Sequence, residues 1–287
     1  MKVGVIGAGA WGTALSIVSA NSGNEVTLWS YDGEYKQFED IEFPESINIS
    51  QEMSVLADMD TWLVVTPAAY FRSTLTNAAK FYKDQPIIIC TKGAECSSGK
   101  FMSEVLRETL PQCKNCGVLS GPQFAAEVAR GCPTGSTLAG SFVAISAGQI
   151  ALSKLYLVPS NDVIGTEICG IGKNAASLIS GYNTVAASGE NERALIFTRA
   201  WNEIVDLGLA SGADVRTFLG LCGVGDLFLS ATSPTSRNFS GGVSIARGET
   251  PSGTVEGIFA LCGLIERAKT LGVSTPVLCE MREKLNI

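Results

Sequence analysis

One lysine in the second half of the sequence has no charged neighbours. Lys173 is the only charged residue between Glu167 and Glu190. On a helix of 100° per residue, it lies on a face of small side chains opposite an apolar stripe. The stripe comprises Ile168, Ile171, Ala175, Leu178, Tyr182 and Val185, and the small face comprises Gly170, Ser177, Ser180 and Thr184. A solvated face would mix Glu, Lys and Arg, so this face suits close approach by another chain or a ligand.

The chemistry available to Lys173 follows from the residues that the chain lacks. The sequence contains no histidine, so acid/base chemistry must use Lys, Asp, Glu, Tyr or Cys. A partly desolvated ammonium has a lowered pKa and can protonate a carbonyl oxygen as hydride arrives. The alternative interpretation is an ordinary lysine at a helix edge, with its aliphatic part on apolar surface and its charge in water.

Two further stretches carry polar groups that fit the same chemistry. "ICTKGAE" ends a predicted strand with Lys92, at the carboxyl edge where open α/β sheets bind ligands. "GVGDLFLSATSPTSRN" contains Asp226 and then Ser236, Arg237 and Asn238, a donor-rich run suited to a phosphate. Taken alone, "SRN" is typical of a solvated loop. Together with Lys92, Lys173 and the dinucleotide site that the N-terminal glycines predict, it favours a phosphate site.

The first residues of the chain predict a dinucleotide site. "VGVIGAGAWGTAL" places Gly7, Gly9 and Gly12 between a predicted strand and a predicted helix. Gly7 permits a tight turn, Gly9 lets the backbone approach a pyrophosphate, and Gly12 allows close helix packing. The positive end of the helix then faces the phosphates. We therefore expect a dinucleotide site, with a structural glycine turn as the alternative.

The end of the second predicted strand bears on the choice between NAD and NADP. An acid about 20 residues beyond the glycines normally binds the ribose 2′-hydroxyl of NAD. Asp32 is at a suitable distance, and the first cation that could bind a 2′-phosphate is Lys36. The sequence favours NAD, with NADP as the alternative.

Short apolar runs and helix-like segments alternate over the first 150 or so residues. Predicted strands cover 2–7, 25–29, 61–67, 86–91 and 116–121, with amphipathic segments between them. Helix-compatible segments follow at 166–187, 190–211, 214–222, 252–271 and 275–285. We predict an α/β fold in which a Rossmann-like, doubly wound, mostly parallel sheet precedes an all-α domain. The predicted dinucleotide-binding domain covers 1–160, and the predicted substrate and catalytic domain covers 161–287.

Composition excludes several classes of protein. The net charge is −7 and no Lys/Arg cluster stands out, which argues against a nucleic-acid partner. No apolar run reaches the roughly 18 residues of a membrane span, and no signal-peptide pattern precedes the first strand, so we expect a cytoplasmic protein. The nine cysteines are scattered, and we expect reduced thiols. Cys113 and Cys116 have metal or redox spacing, but a zinc site needs two more ligands, so we predict no metal.

The sequence as a whole resembles a known family, the soluble NAD(P)-dependent glycerol-3-phosphate dehydrogenases. The shared segments run through nearly the whole chain in the family's order. They are "GAGAWGTAL", "TKGAE", "LSGPQFAAEVARGCPT", "NDVIGTEICGIGKN", "GENERA", "TFLGLCGVGDL", "TSPTSRN" and "TVEG". A set spread over both halves is far more specific than the glycine fingerprint alone.

The resemblance implies roles for particular residues. Lys173 matches the general acid/base lysine, Lys92 a lysine that contacts substrate and cofactor, and Asp226 the carboxylate that holds the reacting centre. The implied substrate contacts are Lys92, Gly121, Gln123, Lys173, Asn174, Asp226, Ser236, Arg237 and Asn238. The implied cofactor contacts are Gly7, Gly9, Ala10, Trp11, Gly12, Tyr31, Lys92, Ala125, Arg237 and Glu256.

The resemblance also implies the reaction and its setting. Family members interconvert dihydroxyacetone phosphate and sn-glycerol 3-phosphate with NAD(P)H, which supplies glycerophospholipid biosynthesis, and a homodimer is expected. The chain departs from the family's pattern in a compressed segment between the second and third strands. Gln123 also stands where Ser or Thr is usual, and Tyr31 stands where bacterial members often place Arg or His.

Two alternatives stay open at the level of sequence. A related ketone reductase, such as one acting on ketopantoate, would share the glycine turn and a helical-domain lysine but not the "GDL" to "SRN" run. A non-catalytic NAD(H)-binding sensor or scaffold would keep the fold and bind the dinucleotide without turnover.

Overall fold

The chain divides into two units in the computed structural model, which describes residues 1–286. The first unit comprises Met1–Thr91 and Met102–Val163, and the second comprises Lys92–Phe101 and the chain from Ile164 onward. Lys92–Phe101 thus packs with the second unit although it lies between segments of the first unit in the sequence. Two glycines allow it, because a Cβ on Gly99 would lie 2.7 Å from the Arg267 nitrogen, and a Cβ on Gly263 would lie 2.7 Å from the Ala94 Cβ.

The first unit contains one eight-stranded sheet with the strand order β3-β2-β1-β4-β5-β6-β7-β8. Strands β1 to β8 are Lys2–Ile6, Glu25–Trp29, Asn48–Ser50, Thr61–Val64, Ile87–Ile89, Cys116–Ser120, Gly135–Gly140 and Tyr156–Ser160. Neighbouring strands are parallel except β6 and β7, which are antiparallel. The predicted mostly parallel sheet is confirmed, and each of the five predicted strands is present.

Three strands were absent from the sequence prediction, each for a local reason. Strand β3 has only three residues and is polar, and β7, "GSTLAG", lacks the bulky β-branched run that marks a buried strand. Strand β8 lies at the sheet edge and contains Pro159, a residue that argues against a central strand.

Helices cover both faces of the sheet in the first unit. Helices α1 to α5 are Ala10–Asn21, Ala68–Ala78, Met102–Thr109, Ala125–Ala129 and Phe142–Ala151. One buried cluster joins side chains of α1, α4 and α5 to Val3, Val5 and Leu63 of the sheet. A second cluster joins α2 and α3 to Trp62, Val64 and other residues of the opposite face. This double cover is what the alternating pattern predicts, and it leaves the carboxyl ends of the parallel strands to carry polar groups.

The second unit is mostly helical from residue 164 to Lys284. Helices α6 to α12 are Val163–Ala186, Glu190–Ala210, Val215–Phe218, Asp226–Ser230, Arg237–Ala246, Glu256–Leu271 and Pro276–Lys284. A π-helical turn, Leu221–Gly225, precedes α9. The helical second half is confirmed, although the segment predicted as one helix over 214–222 divides into α8 and this turn. In the described part of the chain, no helix combines the length and apolar character that crossing a membrane requires.

Helix α6 is the centre of the second unit and is buried on nearly all sides. Its small residues admit a neighbouring helix of the same unit. A Cβ on Gly181 would lie 2.0 Å from the Phe239 oxygen, and a Cβ on Gly242 would lie 2.3 Å from the Leu178 oxygen. Helix α10 therefore packs backbone against backbone on α6. The sequence prediction missed α10 because its adjacent glycines, Gly241 and Gly242, resemble a break in a helix, although Gly242 is what allows this packing.

Candidate active site

The glycine turn between β1 and α1 combines a residue with positive φ, a close approach and an open space. Gly7 has φ +114°, a conformation that side-chain-bearing residues rarely adopt. A Cβ on Gly12 would lie 1.8 Å from the Gly7 oxygen, so the helix start and the turn are in contact. A Cβ on Gly9, by contrast, would meet no atom of the described chain within 4 Å. Gly9 thus leaves space where the turn would receive a pyrophosphate.

Helix α1 directs its first N–H groups at this space. Gly9 is the N-cap, its oxygen accepts from the Thr13 N–H at 2.9 Å, and no side chain of residues 1–286 caps the helix. The N–H groups of the first turn, which include those of Ala10 and Trp11, have no acceptor within the helix and suit an anion. The buried Trp11 Nε1 has no hydrogen-bond partner in the described chain. These features fit a dinucleotide.

The end of β2 orients an acidic side chain. Asp32 Oδ1 accepts from Ser30 Oγ at 3.0 Å and from the Glu34 N–H at 3.1 Å. The Glu34 N–H is the larger cause, and the Ser30 hydroxyl adds to it, in lowering the pKa of the exposed Asp32 carboxyl. The carboxylate is therefore ionised and held at the strand end. The side chain of Tyr31, beside it, is 87% exposed.

The compressed segment after β2 returns to the glycine turn. The Lys36 N–H donates to the Ala8 oxygen at 3.0 Å. The rings of Tyr35 and Phe43 contact each other with centroids 4.1 Å apart, and the segment packs on the cluster that includes α1. Despite its short length, this segment supports the turn.

The second unit contains a buried carboxylate between two ammonium groups. Lys92 Nζ donates to Asp226 Oδ2 at 2.6 Å, and Lys173 Nζ lies 3.1 Å from Asp226 Oδ1. Lys173 Nζ also donates to Ser230 Oγ at 3.1 Å. The Asp226 side chain is 0% exposed, while those of Lys173 and Lys92 are 12% and 17% exposed. The structure thus brings together the three residues predicted to be catalytic.

Local structure explains how Asp226 reaches this position. It is the first residue of α9 and follows the π-helical turn, whose Gly225 N–H donates to the Gly220 oxygen at 3.2 Å. A Cβ on Gly223 would lie 2.1 Å from the Phe218 oxygen, so this tight turn requires glycine. π-Helical turns are frequent at functional sites because they re-aim side chains within a helix.

Burial and charge set the ionisation of this cluster. Burial is the main cause that lowers the pKa of Lys173; Lys92 adds to the effect, and Asp226 partly opposes it. Burial by itself would raise the pKa of Asp226, but the charges and hydrogen bonds of Lys173 and Lys92 outweigh it and lower that pKa. Asp226 therefore loses its proton more readily than an ordinary aspartic acid, and Lys173 gives up its proton more readily than an exposed lysine.

A buried pair of amides connects three helices beside Lys173. Asn238 Nδ2 donates to Asn174 Oδ1 at 2.8 Å, and the Gly257 N–H donates to Asn238 Oδ1 at 2.8 Å. Asn174 Nδ2 is buried and has no acceptor in the described chain. Asn238 is thus committed to the scaffold, whereas Asn174 presents an unused donor of the kind a ligand satisfies.

The remaining members of the "SRN" run lie at the start of α10. Ser236 is the N-cap, and its Oγ accepts from the Phe239 N–H at 3.4 Å. Arg237 lies 3.8 Å from Glu256, the first residue of α11, and both side chains are well exposed. Such an exposed pair contributes little stability, so the guanidinium is available to a ligand.

Three predicted residues lie between β6 and α4 in the first unit. Gly121 and Gln123 follow β6, and Ala125 is the first residue of α4. Several buried polar atoms at this carboxyl edge have no hydrogen-bond partner in the described chain, namely Trp11 Nε1, Thr66 Oγ1, Ser120 Oγ and Gln123 Nε2. Because buried polar groups are normally paired, this concentration indicates a ligand surface.

Sequence reasoning did not select Thr66, Ser120 or Ser230 as site residues. Thr66 and Ser120 lie at or just beyond the ends of parallel strands, which is a usable signal. Ser230 lies one helical turn after Asp226 and donates to its Oδ1 at 3.3 Å, a spacing that the sequence also displays.

The cysteines and acidic residues bear on whether the chain can hold a metal ion. Among residues 1–286, no group of three or more His, Cys, Asp or Glu side chains could hold a metal ion. Cys113 Sγ lies 3.8 Å from the Asn115 oxygen, within the turn before β6. Burial is the main cause that raises the pKa of the Cys113 thiol, so it is a poor thiolate ligand.

Reduction of a carbonyl by a nicotinamide cofactor needs a dinucleotide site and a proton donor. The glycine turn of the first unit suits the dinucleotide, and the Lys173 side chain of the second unit suits proton donation. The class so defined is that of the Rossmann-type, dinucleotide-dependent dehydrogenases. Comparison with known proteins narrows this class. Sequence models of the N-terminus and the C-terminus of NAD-dependent glycerol-3-phosphate dehydrogenase match residues 2–143 and 162–286.

Individual relatives agree with that result. The chain is 36% identical over 298 residues to glycerol-3-phosphate dehydrogenase [NAD(P)+] of Parvibaculum lavamentivorans, with 96% of this chain and 89% of the relative covered. The crystal structure of glycerol-3-phosphate dehydrogenase from Coxiella burnetii has a TM-score of 0.91 and 28% identity, covering 99% of this chain and 94% of that one. The chain belongs to the NAD-dependent glycerol-3-phosphate dehydrogenase family. It is thus an NAD(P)-dependent oxidoreductase by family.

The ketopantoate alternative has support only at the level of the fold. A ketopantoate reductase from Ralstonia eutropha has a TM-score of 0.70 but 15% identity, with 100% of this chain and 97% of that chain covered. A structural similarity at this level of identity shows a shared architecture and gives no information about the substrate.

Proposed function

We propose that the protein catalyses the reversible, NAD(P)-dependent reduction of dihydroxyacetone phosphate to sn-glycerol 3-phosphate. The observation that carries the proposal is the cluster in which Asp226 is buried between Lys173 and Lys92. The curated relative and the family models, both of which bear the name of this enzyme, support the choice of substrate.

The dinucleotide would be held by the first unit through its backbone. Gly7, Gly9, Ala10 and Gly12 shape the turn, and Trp11 offers an unpaired indole N–H. Tyr31 and Ala125, with Lys92, Arg237 and Glu256 of the second unit, complete the proposed cofactor contacts. The ionised Asp32 favours NAD over NADP by accepting from a ribose hydroxyl.

When bound, the reduced nicotinamide supplies the hydride that reaches the ketone carbon. Lys173 then protonates the developing alkoxide, because its ammonium has a lowered pKa and the described residues use only two of its three N–H groups, at Asp226 and Ser230. Asp226 fixes the position of Lys173 and balances its charge. Lys92 adds a second positive group that stabilises negative charge on the substrate.

The substrate phosphate is assigned to the start of α10. Arg237 offers a planar, exposed guanidinium, and the helix N-terminus adds the positive end of its dipole. Ser236 and Asn238 support this site mainly as a helix cap and a scaffold amide, while Asn174 supplies the unused N–H donor. Gly121 and Gln123 complete the proposed substrate contacts.

Further features of the protein are proposed with the reaction. We assign residues 1–160, apart from Lys92–Phe101, to dinucleotide binding, and we assign Lys92–Phe101 together with 161–287 to substrate binding and catalysis. We also propose a cytoplasmic homodimer whose product supplies glycerophospholipid synthesis. Size-exclusion chromatography with light scattering tests the dimer, and a mass of one chain would contradict it.

The reaction is tested by following the loss of reduced-nicotinamide absorbance after adding dihydroxyacetone phosphate. NADH and NADPH are compared in parallel, and ketopantoate is the control substrate. We expect rapid oxidation with dihydroxyacetone phosphate alone. Binding of NADH without oxidation would instead establish a dinucleotide-binding protein that has lost catalysis.

A further inference from the structure

The side chain of Gln123 is held by a strand that the sequence prediction missed. Ser136, a fully buried residue of β7, donates its hydroxyl to Gln123 Oε1 at 2.6 Å. This short hydrogen bond uses the acceptor end of the carboxamide. The donor end, Gln123 Nε2, is buried and has no partner in the part of the chain that the structure describes.

Gly121 makes this contact geometrically feasible. A Cβ at Gly121 would lie 2.7 Å from both the Gly135 oxygen and the Ser136 Cα, and 2.8 Å from Ser136 Oγ. Only glycine therefore lets the loop after β6 approach β7 closely enough for Ser136 to reach Gln123. Thr134 contributes a second tie, since its hydroxyl donates to the Pro122 oxygen at 2.8 Å.

The unpaired amide lies where a ligand is expected. Gln123 follows β6 at the carboxyl edge of the sheet, on the β4-β5-β6 side of the glycine turn. In a doubly wound fold, the adenosine half of a dinucleotide lies toward β2, so the nicotinamide half lies toward this side. Thr66 Oγ1 and Ser120 Oγ, at the ends of β4 and β6, are also buried without partners in residues 1–286.

We propose that Ser136 is a positioning residue that turns Gln123 so that it offers only N–H donors to the ligand. The ligand must then meet Gln123 with an acceptor oxygen, either that of the nicotinamide carboxamide or one of the ketone phosphate. This differs from the Ser or Thr that the family resemblance places at position 123, because a hydroxyl can rotate to donate or accept. The inference rests on the proposed function for the identity of the second ligand.

Four variants test this orientation: Ser136→Ala, Gln123→Glu, Gln123→Thr and the double variant Gln123→Thr/Ser136→Ala. The dissociation constant for NADH is measured by fluorescence titration without substrate, and KM for dihydroxyacetone phosphate at saturating NADH. We expect Ser136→Ala to raise one of these constants about three- to tenfold, the size of one neutral hydrogen bond, with kcat within about twofold. Gln123→Glu, which replaces the donor by an oxygen, should raise the same constant at least as much.

The double variant separates orientation from general packing. A hydroxyl at position 123 does not need Ser136 to orient it, so Ser136→Ala should change neither constant in the Gln123→Thr background. Ser141→Ala is the matched control, because Ser141 follows β7 and caps α5 without touching Gln123. It should leave both constants unchanged.

Three results would overturn the proposal: unchanged constants in Ser136→Ala, unchanged constants in Gln123→Glu, or an equal effect of Ser136→Ala in both backgrounds. The affected constant identifies the ligand, since a change in NADH affinity indicates the carboxamide and a change in KM indicates the substrate. If the wild-type protein binds NADH but does not reduce dihydroxyacetone phosphate, the proposed function fails separately. The NADH titration then decides alone, and an unchanged dissociation constant in Ser136→Ala rejects the positioning role.

Discussion

The glycine turn of the first unit and the lysine cluster of the second unit differ in how the chain builds a binding group. At the turn, Gly7, Gly9 and Gly12 lie within one short segment and act through backbone N–H groups and empty space. In the cluster, Lys92 and Asp226 are 134 residues apart and act through buried charged side chains. The first needs only local geometry, whereas the second needs correct packing of several helices.

The two regions should therefore fail in different ways when they are altered. A backbone site is blocked by added volume, because nothing but space and N–H direction defines it. A buried charge cluster fails when its charges no longer balance, because the low-dielectric interior makes an unpaired charge costly.

The largest effect is expected for Lys173→Met. This change removes the proposed proton donor while keeping an unbranched side chain only one atom shorter, so kcat for ketone reduction should fall about 10²- to 10⁴-fold. NADH affinity, which depends on the glycine turn, should stay within about twofold of wild type in a fluorescence titration. Near-normal turnover would show that another group supplies the proton.

Asp226→Asn tests the charge balance of the cluster. It leaves two ammonium groups facing a neutral amide in a buried site, and breaking such a cluster costs about 3–5 kcal/mol of unfolding free energy. Urea denaturation measures the loss. Glu256→Gln, which removes an exposed carboxylate paired with Arg237, is the matched control and should cost less than about 1 kcal/mol. Equal stability of the two variants would contradict the dependence on burial.

Gly12→Ala and Gly9→Ala compare two roles within the glycine turn. A Cβ at Gly12 would lie 1.8 Å from the Gly7 oxygen, so Gly12→Ala should lower the unfolding free energy by about 1–3 kcal/mol through overpacking. A Cβ at Gly9 meets no described atom within 4 Å, so Gly9→Ala should lose less than about 1 kcal/mol. It should still weaken NADH binding about tenfold or more by filling the space of the pyrophosphate. Normal NADH affinity in Gly9→Ala would mean that the dinucleotide lies elsewhere.

The pH dependence reports the ionisation of Lys173. Burial, assisted by Lys92, lowers the pKa of Lys173 below its ordinary value of 10.5. Ketone reduction needs the ammonium, so kcat should fall about tenfold per pH unit once the pH exceeds this lowered pKa, while alcohol oxidation rises through it. Between the lowered pKa and 10.5 the unfolded chain binds more protons, so stability from this group increases with pH. Profiles of kcat against pH, for ketone reduction and for alcohol oxidation, measure the effect. A kcat for reduction that begins to fall only at or above pH 10.5 would refute the lowered pKa.

The smallest effect is expected at the rim of the dinucleotide site. Asp32→Ser removes the ionised carboxylate, so KM for NADH should rise about three- to tenfold and KM for NADPH should fall. Glu34→Gln is the control, since Glu34 contacts Asp32 through its backbone N–H and not through its side chain. An unchanged ratio of the two KM values in Asp32→Ser would assign cofactor choice to other residues.

Much of the fold could be predicted because strands such as β1 and β4 are short, apolar and bounded by turn residues. The same local rules failed for β7 and α10. Strand β7 consists of small residues, and α10 contains two adjacent glycines, Gly241 and Gly242, which resemble a break. Both elements depend on close packing against a neighbouring strand or helix. A local sequence pattern contains no information about that neighbour.

The residues of the candidate site also differ in whether local sequence was enough to predict their roles. Lys173 could be selected from sequence because an isolated charge among small and apolar residues has few ordinary explanations. The scaffold roles of Ser236 and Asn238 could not, because a donor-rich run has the same appearance whether it binds a phosphate or caps a helix. The hydrogen bond from Ser136 to Gln123 could not be predicted either, because Ser136 lies in β7, a strand that the sequence did not predict.

The sequence by itself determined the glycine turn, the alternation of strands and helices, and the choice of Lys173 as the proposed proton donor, because each depends on residues that are close together in the chain. Only the tertiary structure decided that Lys92 shares Asp226 with Lys173, that Asn174 keeps an unused donor, and that Gln123 has a single available end. These contacts join segments far apart in sequence. Their distances are set by how closely helices and strands approach, which glycines such as Gly121 and Gly181 permit.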